Sequence, residues 1–349
     1  MPKLSIRPAT PDDAPGLGEL MAECGLQPNS EPAHLHWKYW QSRPDWLGPR
    51  SFVMARGAEI QAHAAIVPGV CLFAAQDEVQ RVRTVHVIDW AARTSVAGAG
   101  VMLMKYIAQT TDALLAVGGS EQTLRLLPHL GFRALGVATC YVRPLHSTRI
   151  LTPSVHPPWR LLPRFARSVL WTLQAPTNGV DGWHVRRIEP SDLARVLPVL
   201  PRPGGDMALF ERSAALFEYA LSCSIASMEL YALERDGMPR GYFLLAFALR
   251  QARLADFWID SEDPDDWRAL IQCAVLQAKQ HPSAAELAVW GSDAASSERL
   301  RECGFHARGD LRVQMLAPHH PQLLSATLRV QMLDNDAAYR HPGRNEFWA

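Results

Sequence analysis

The chain reads as one series of elements written twice. A strand-like run over 4–7 leads into Pro11-Asp12-Asp13, and another over 183–188 leads into Pro190-Ser191-Asp192. In both places proline suits the first turn of a helix and the acids suit its positive end. Each start is followed by a second helix, strands joined by a glycine turn (Gly57 in one half, Asp236-Gly237 in the other), a further strand, a helix, a short apolar strand and a last helix. The two series also close alike, on Leu130-Gly131-Phe132 and on Cys303-Gly304-Phe305, where glycine is a natural stop for a helix. Duplication of this kind predicts two copies of one αβ unit, and 349 residues suit two domains. The expected division is a first domain over 1–146, a proline-rich linker over 147–182 and a second domain with a C-terminal tail over 183–349.

Several function classes are disfavoured at once. Lys+Arg and Asp+Glu both number 35, so nucleic acid is not expected as a partner, because phosphate binding draws on basic charge. No apolar run reaches the length of a membrane span, and the opening MPKLSIRPATPDD has no apolar region of the secretory kind. The cysteines (Cys24, Cys71, Cys140, Cys223, Cys273, Cys303) are scattered among apolar residues without a CxxC pair, which predicts buried free thiols in a reducing compartment. A cytoplasmic location is the expectation from these features together. His34-x-His36 and His319-His320 have no cysteine or acid cluster to complete a ligand set, so no metal is expected. Asp334-x-Asp336 is too short for a calcium loop and is read as a solvated turn. Within the linker, 159–173 reads as a helix with Arg160, Arg164 and Arg167 on one side and Leu161, Phe165, Val169 and Leu173 on others. Such a helix either packs across the domain junction, the commoner arrangement, or lies on a membrane surface.

The segment with most chemical content is a strand over 82–92, the small-residue stretch Ser95-Val96-Ala97-Gly98-Ala99-Gly100, and a helix over 101–109. A helix start exposes unpaired N–H groups and partial positive charge. Glycines there let an anion such as phosphate approach the backbone, and no acid stands between Asp89 and the helix to repel it. Arg93 is placed to add a charge-assisted contact. In the strand, His86 and Asp89 are the candidate bases; three residues apart, they point to opposite faces of a regular strand unless a bulge intervenes. Trp37, Tyr39, Trp40 and Trp46 form an aromatic group that either packs the core or offers a stacking surface.

On these residues the first half resembles the GNAT acyltransferases. Ile6-Arg7-Pro8 with Pro11-Asp12-Asp13 looks like that family's first strand and helix, and Trp37-Lys38-Tyr39 like its second helix in some bacterial members. Ser95 to Gly100 falls on its pyrophosphate loop, and 120–132 on its later helix and closing Leu-Gly-Phe. The resemblance covers about 4–143 and, more faintly, 183–316. It implies a fold of the α/β (α+β) class: two tandem GNAT-like domains, each a mixed, mostly antiparallel central sheet flanked by helices. It also implies acetyl-CoA or another acyl-CoA as co-substrate, with its pantetheine arm along 88–92 beside Trp90 and Ala92. The pyrophosphate would rest on Ser95, Val96, Ala97, Gly98, Ala99 and Gly100, with Ser120 at the later helix. Ser95 stands where the family has Arg or Gln, Ser120 where it has Asn, and Leu127 where it often has a general-acid tyrosine; Pro128 should end that helix early. The second half has no glycine pair, and Glu262, Asp263, Asp265 and Asp266 crowd the corresponding helix start, so only the first half is expected to hold acyl-CoA. The expected activity is N-acyl transfer to a small primary amine such as an amino sugar or an amino acid. Alternatives are a non-catalytic metabolite- or partner-binding protein of this fold, and an aminoacyl-tRNA-dependent transferase.

Overall fold

The computed structural model describes residues 3–26, 32–75, 78–150, 158–176 and 180–340. Six strands come from the first half: β1 (Leu4–Pro8), β2 (Ser51–Arg56), β3 (Glu59–Ala75), β4 (Glu78–Ala92), β5 (Ala113–Val117) and β6 (Arg133–Pro144). Eight come from the second: β7 (Trp183–Ile188), β8 (Met207–Phe210), β9 (Ser227–Arg235), β10 (Met238–Ala248), β11 (Gln251–Ile259), β12 (Glu286–Gly291), β13 (His306–Leu316) and β14 (Thr327–Arg329). The helices are α1 (Ala14–Glu23), α2 (Pro32–Leu35), α3 (Ala99–Ala108), α4 (Glu121–Leu126), α5 (Pro158–Gln174), α6 (Ala214–Leu221), α7 (Pro264–Gln280) and α8 (Ala294–Glu302).

All strands join one sheet, in the order β1-β2-β3-β4-β5-β13-β6-β12-β11-β10-β9-β7, with β8 and β14 attached at its side. Read from either edge inward the order is the same, so the repeat seen in the sequence is also a repeat in space. At the centre the halves exchange their last strands. β13 pairs with β5, and β6 pairs with β12. The exchanged strands also pair with each other, from His306↔Val142 to Met315↔Arg133. Separating the halves therefore requires breaking backbone ladders, not just a side-chain interface. The sheet is mostly antiparallel; β4/β5, β11/β12 and β14/β8 are parallel.

Strand alternation distributes the core. In β2, Phe52 and Met54 pack with Leu103, Met104 and Ile107 of α3, while Val53 packs with Leu17, Leu20 and Met21 of α1 on the opposite face. In the second half, Leu270 and Ala274 of α7 and Leu300 of α8 cover Phe243, Leu245 and Leu254. A further cluster draws on both halves, joining Trp37, Phe73, Leu115 and Ala138 to Leu230, Tyr242, Trp290 and Met315. The helix ends repeat as the sequence predicts. Gly131 (φ +90) and Gly304 (φ +78) adopt the left-handed conformation, and Phe132 and Phe305 donate their N–H to Leu127 O at 3.1 Å and Leu300 O at 3.0 Å. The regular part of α4 stops at Leu126, ahead of Pro128.

Some elements differ from expectation. β3 and β4 run on beyond the predicted strands as a long ribbon, whose Cys71–Phe73 section pairs with β8. β8 has no signal of its own because it follows the Pro-Gly-Gly stretch at 203–205. The second helix is short, and His36–Trp40 form a π-turn. Cys71, Cys140, Cys273 and Cys303 are buried as expected, but Cys24 is exposed. Asp334 and Asp336, read as a solvated turn, are buried and ion-paired: Asp334 with Arg212 at 2.7 Å and Asp336 with Lys38 at 3.2 Å. α5 packs through its hydroxyl side, Ser168 and Thr172 meeting Ser147, and not through Leu162, Leu170 or Leu173.

Candidate functional site

Each half contains a wedge where two parallel strands part. β4 and β5 pair only from Thr84↔Ala113 to His86↔Leu115, and β4 continues to Ala92. β11 and β12 pair from Gln251↔Glu286 to Leu254↔Val289, and β11 continues to Ile259. The wedges are equivalent by position in the sheet, but their contents differ.

The second wedge is filled by the chain itself. The Gln331 carboxamide takes the Phe257 N–H on Oε1 at 2.9 Å and donates from Nε2 to the Phe257 carbonyl at 3.2 Å. Val330 N–H donates to Ser292 Oγ at 2.8 Å, and the Arg329 guanidinium lies 5.2 Å from the Trp258 ring centre and 4.8 Å from that of Trp267. Acids occupy the start of α7, where Asp263 accepts the Asp265 N–H at 2.9 Å. Among the described residues, no side chain bonds the backbone of Trp90 in the first wedge as Gln331 bonds Phe257.

The edge of the first wedge carries a bulge. The β3/β4 register shifts between His63 and Ala65, giving β4 one extra residue, and Asp89 sits there with φ +49. That conformation is strained for aspartate, and its surroundings hold it in place. Tyr39 Oη donates to Asp89 Oδ2 at 2.7 Å, Lys38 Nζ lies 2.5 Å from the same oxygen, and His63 Nδ1 donates to the Asp89 carbonyl at 3.1 Å. Lys38 reaches Asp336 as well. Burial pushes the Asp89 carboxyl up, but the charge of Lys38 and the hydrogen bonds from Lys38 and Tyr39 outweigh it, so Asp89 stays ionised below the ordinary carboxylate range. Burial likewise pulls His63 and His86 down to about 4, leaving both neutral at neutral pH. His86 Nε2 faces Val117 N–H at 3.2 Å and Asn335 Nδ2 at 2.6 Å. Asp89 and His86 thus have separate partners, and among the described residues they do not bond each other. The same motif recurs in the second half. Asp256 accepts from Arg212 at 2.6 and 2.8 Å and from Tyr242 Oη at 2.7 Å, and Arg212 also holds Asp334.

The small-residue loop follows β4 and leads into α3. Ser95, Ala97 and Gly98 are exposed, Val96 is half-buried, and Ala99 and Gly100 are buried. Gly98 (φ +77) precedes α3, no side chain caps that helix, and a Cβ on Gly98 would meet nothing within 4 Å. Gly100 serves a different purpose. A Cβ there would lie 3.0 Å from Trp90 Nε1, which donates to the Gly100 carbonyl at 3.0 Å. The glycine therefore permits strand and helix to meet through the Trp90 indole. Ala92 lies under the same spot, 3.4 Å from that Cβ position. Ser120 caps α4 by accepting the Thr123 N–H at 3.2 Å. Arg93 turns from the loop to Glu59 and Glu23, both at 2.9 Å. Leu127 is in the core.

Beside Lys38 a narrow cleft of about 20 Å³, room for about one water, lies between the halves and is lined by Trp37, Arg43, Arg50, Tyr219 and Tyr339 among others. Trp37 stacks on Tyr219 at 4.5 Å, and Arg50 Nη1 donates to Tyr219 Oη at 2.5 Å. Trp37 and Tyr39 are thus buried, while Trp40 and Trp46 are half-buried. Sequence reasoning missed the charged Lys38 and Asp336 and the neutral His63 as a buried polar group around Asp89. The available signal was a lysine flanked by Trp37 and Tyr39, too apolar a setting for an unpaired cation. Among the described residues no three His, Cys, Asp or Glu side chains are grouped as for a metal, and no helix is long and apolar enough to cross a membrane.

No protein-family model and no curated protein matches this sequence. Solved structures do match it. A Saccharomyces cerevisiae N-myristoyltransferase with bound myristoyl-CoA aligns over 91% of this chain and 84% of its own, at 12% identity and a TM-score of 0.61. A GCN5-related N-acetyltransferase from Anabaena variabilis aligns over 90% of this chain and 73% of its own, at 13% identity and a TM-score of 0.55. A putative acetyltransferase from Pyrococcus horikoshii aligns over 96% and 92%, at 11% identity and a TM-score of 0.52. At these identities the likeness is one of architecture: the chain has the fold shared by the GCN5-related N-acetyltransferases and N-myristoyltransferase.

Proposed function

We propose that the protein is an N-acyltransferase that holds an acyl-coenzyme A, acetyl-CoA in the simplest case, in the wedge between β4 and β5 and acylates a small primary amine. The observation that carries this reading is the contrast between the wedges. In the second, Gln331 shows what the wedge edge binds: an amide, through one backbone N–H and one C=O. In the first, the corresponding backbone at Trp90 has no such plug among the described residues, and a pantetheine arm is itself a chain of amides. At the mouth, the start of α3 beside Gly98 has no side-chain cap and suits a pyrophosphate beyond Ala99, whose N–H donates to Val96 O at 3.2 Å, with Ser95 and Ala97 forming the exposed rim.

When bound, the acyl-CoA supplies a thioester carbonyl to the attacking amine. A backbone N–H of β4 near the bulge polarises that carbonyl. Asp89, ionised and fixed by Lys38 and Tyr39, places negative charge where the amine becomes ammonium. Its depressed pKa makes it a weak base, so it positions charge while the proton leaves through solvent. His86, neutral with its Nε2 engaged, holds the vertex of the wedge. Leu127 offers no proton, so the departing thiolate is protonated by water. Calorimetric titration of the purified protein with acetyl-CoA and CoA tests the reading, beside Ala97→Glu, which adds a carboxylate at an exposed loop position without positive φ. Micromolar binding, about −8 kcal/mol, that the variant loses is the expected result; no binding of either ligand refutes it.

A second reading, binding without turnover, is favoured by the engaged state of both Asp89 and His86. It predicts the same titration with no thiol release from acetyl-CoA across a panel of amino acids and amino sugars.

A further inference from the structure

α5 packs on the central strands β6 and β13. Its packed side carries polar contacts: Ser168 is fully buried and donates to Ser147 Oγ at 3.1 Å, and Thr172 lies 3.2 Å from the same hydroxyl. Trp171 stacks on His306 of β13 at 3.8 Å. The apolar side faces out, with Leu162 73%, Leu170 51% and Leu173 79% exposed. Ala166 is exposed between them. At 100° per residue these positions fall on one face of the helix. The helix sequence PWRLLPRFARSVLWTLQ contains no acid. Along one border of the leucine face the guanidiniums of Arg167 and Arg308 lie 5.1 and 5.8 Å from the Trp171 ring centre. Neither arginine is in an ion pair among the described residues. Burial first, then repulsion from Arg308 and Arg164, lowers the Arg167 pKa, with the charge of Glu286 opposing.

We propose that α5 is a docking surface for an anionic lipid bilayer, with Leu162, Leu170 and Leu173 entering the interface and Arg167 and Arg308 meeting the headgroups. The charge decides the occupant. An acid-free helix with a leucine face and an arginine border matches an apolar layer beneath anionic headgroups. The area argues against a second copy of the chain. A helix of 17 residues offers a strip roughly 25 Å by 10 Å, about 250 Å², against about 800 Å² per partner in a stable interface. Lipid contact would be peripheral and reversible, and it is independent of the acyltransfer reading.

The test is co-sedimentation of the full-length protein with vesicles of phosphatidylcholine alone and of phosphatidylcholine mixed with phosphatidylglycerol. The wild type should bind the anionic vesicles, and binding should fall as salt is raised. Replacing Leu162, Leu170 and Leu173 together with glutamine should cut the bound fraction at least about tenfold, since each leucine gains from leaving water. Arg167→Gln with Arg308→Gln should weaken binding about fivefold per arginine. The leucines are exposed, so circular dichroism and the thermal midpoint should show the triple variant folded. Absence of binding by the wild type, equal binding to neutral vesicles, or binding unchanged in the folded triple variant overturns the proposal. So does light scattering that shows a wild-type dimer and a monomeric triple variant.

Discussion

Replacing Lys38 with methionine probes the charged group on which the first wedge is built. Lys38 is buried between Asp89 at 2.5 Å and Asp336 at 3.2 Å, so its loss leaves two carboxylates in the interior without a cation. Breaking a buried pair by deleting one member costs about 3–5 kcal/mol. At an m-value of about 3 kcal/mol/M this lowers the urea midpoint by about 1 to 1.7 M. The pH dependence identifies the cause. In the wild type the Asp89 pKa is depressed, so its contribution is present above the unfolded carboxylate value and is lost as pH falls through the folded one. In Lys38→Met, burial is no longer offset and the folded pKa rises above the unfolded value. The acid then stabilises the fold below the unfolded pKa, and that stability is lost as pH rises through the folded pKa. Urea unfolding followed by circular dichroism should therefore show a smaller gap between variant and wild type at about pH 5.5 than at about pH 8. The double variant Lys38→Met/Asp89→Asn should recover part of the loss, with a coupling energy above about 0.5 kcal/mol. Equal gaps at both pH values and no coupling would show that the three charges are not acting on one another.

Two further predictions concern the interior. Gln331→Ala should leave the Phe257 N–H and C=O unpaired in a buried strand, at a cost of about 2–5 kcal/mol read by urea unfolding; an unchanged midpoint would mean that water replaces the carboxamide. His63 and His86, each pulled to about 4, favour the fold above the unfolded histidine pKa, and that stability is lost as pH falls through the folded value. Replacing either with glutamine should flatten the stability profile between about pH 6.5 and 4, by up to about 3 kcal/mol per histidine; a profile identical to the wild type would refute the assignment.

The sequence by itself determined what neighbours along the chain determine. The glycine stops at Gly131 and Gly304, the helix ended by Pro128, the acidic start of α7 and the open loop at Gly98 depend on residues a few positions away, so local chemistry specified them. The duplication was legible for the same reason, since each copy carries its own stops and turns. Tertiary structure alone decided the rest. Nothing near Asp334 or Asp336 announces that each will be buried against a cation from far up the chain, Arg212 and Lys38. The alternation rule put His86 and Asp89 on opposite faces, and the bulge at Asp89 suspended it through pairing with β3. Exchange of β6 and β13 and the filling of one wedge by Gln331 follow from which distant surfaces bury each other. A strand's propensity lies in its own residues; its partner is set by competition among remote edges for burial and hydrogen bonds, and a local pattern does not encode that competition.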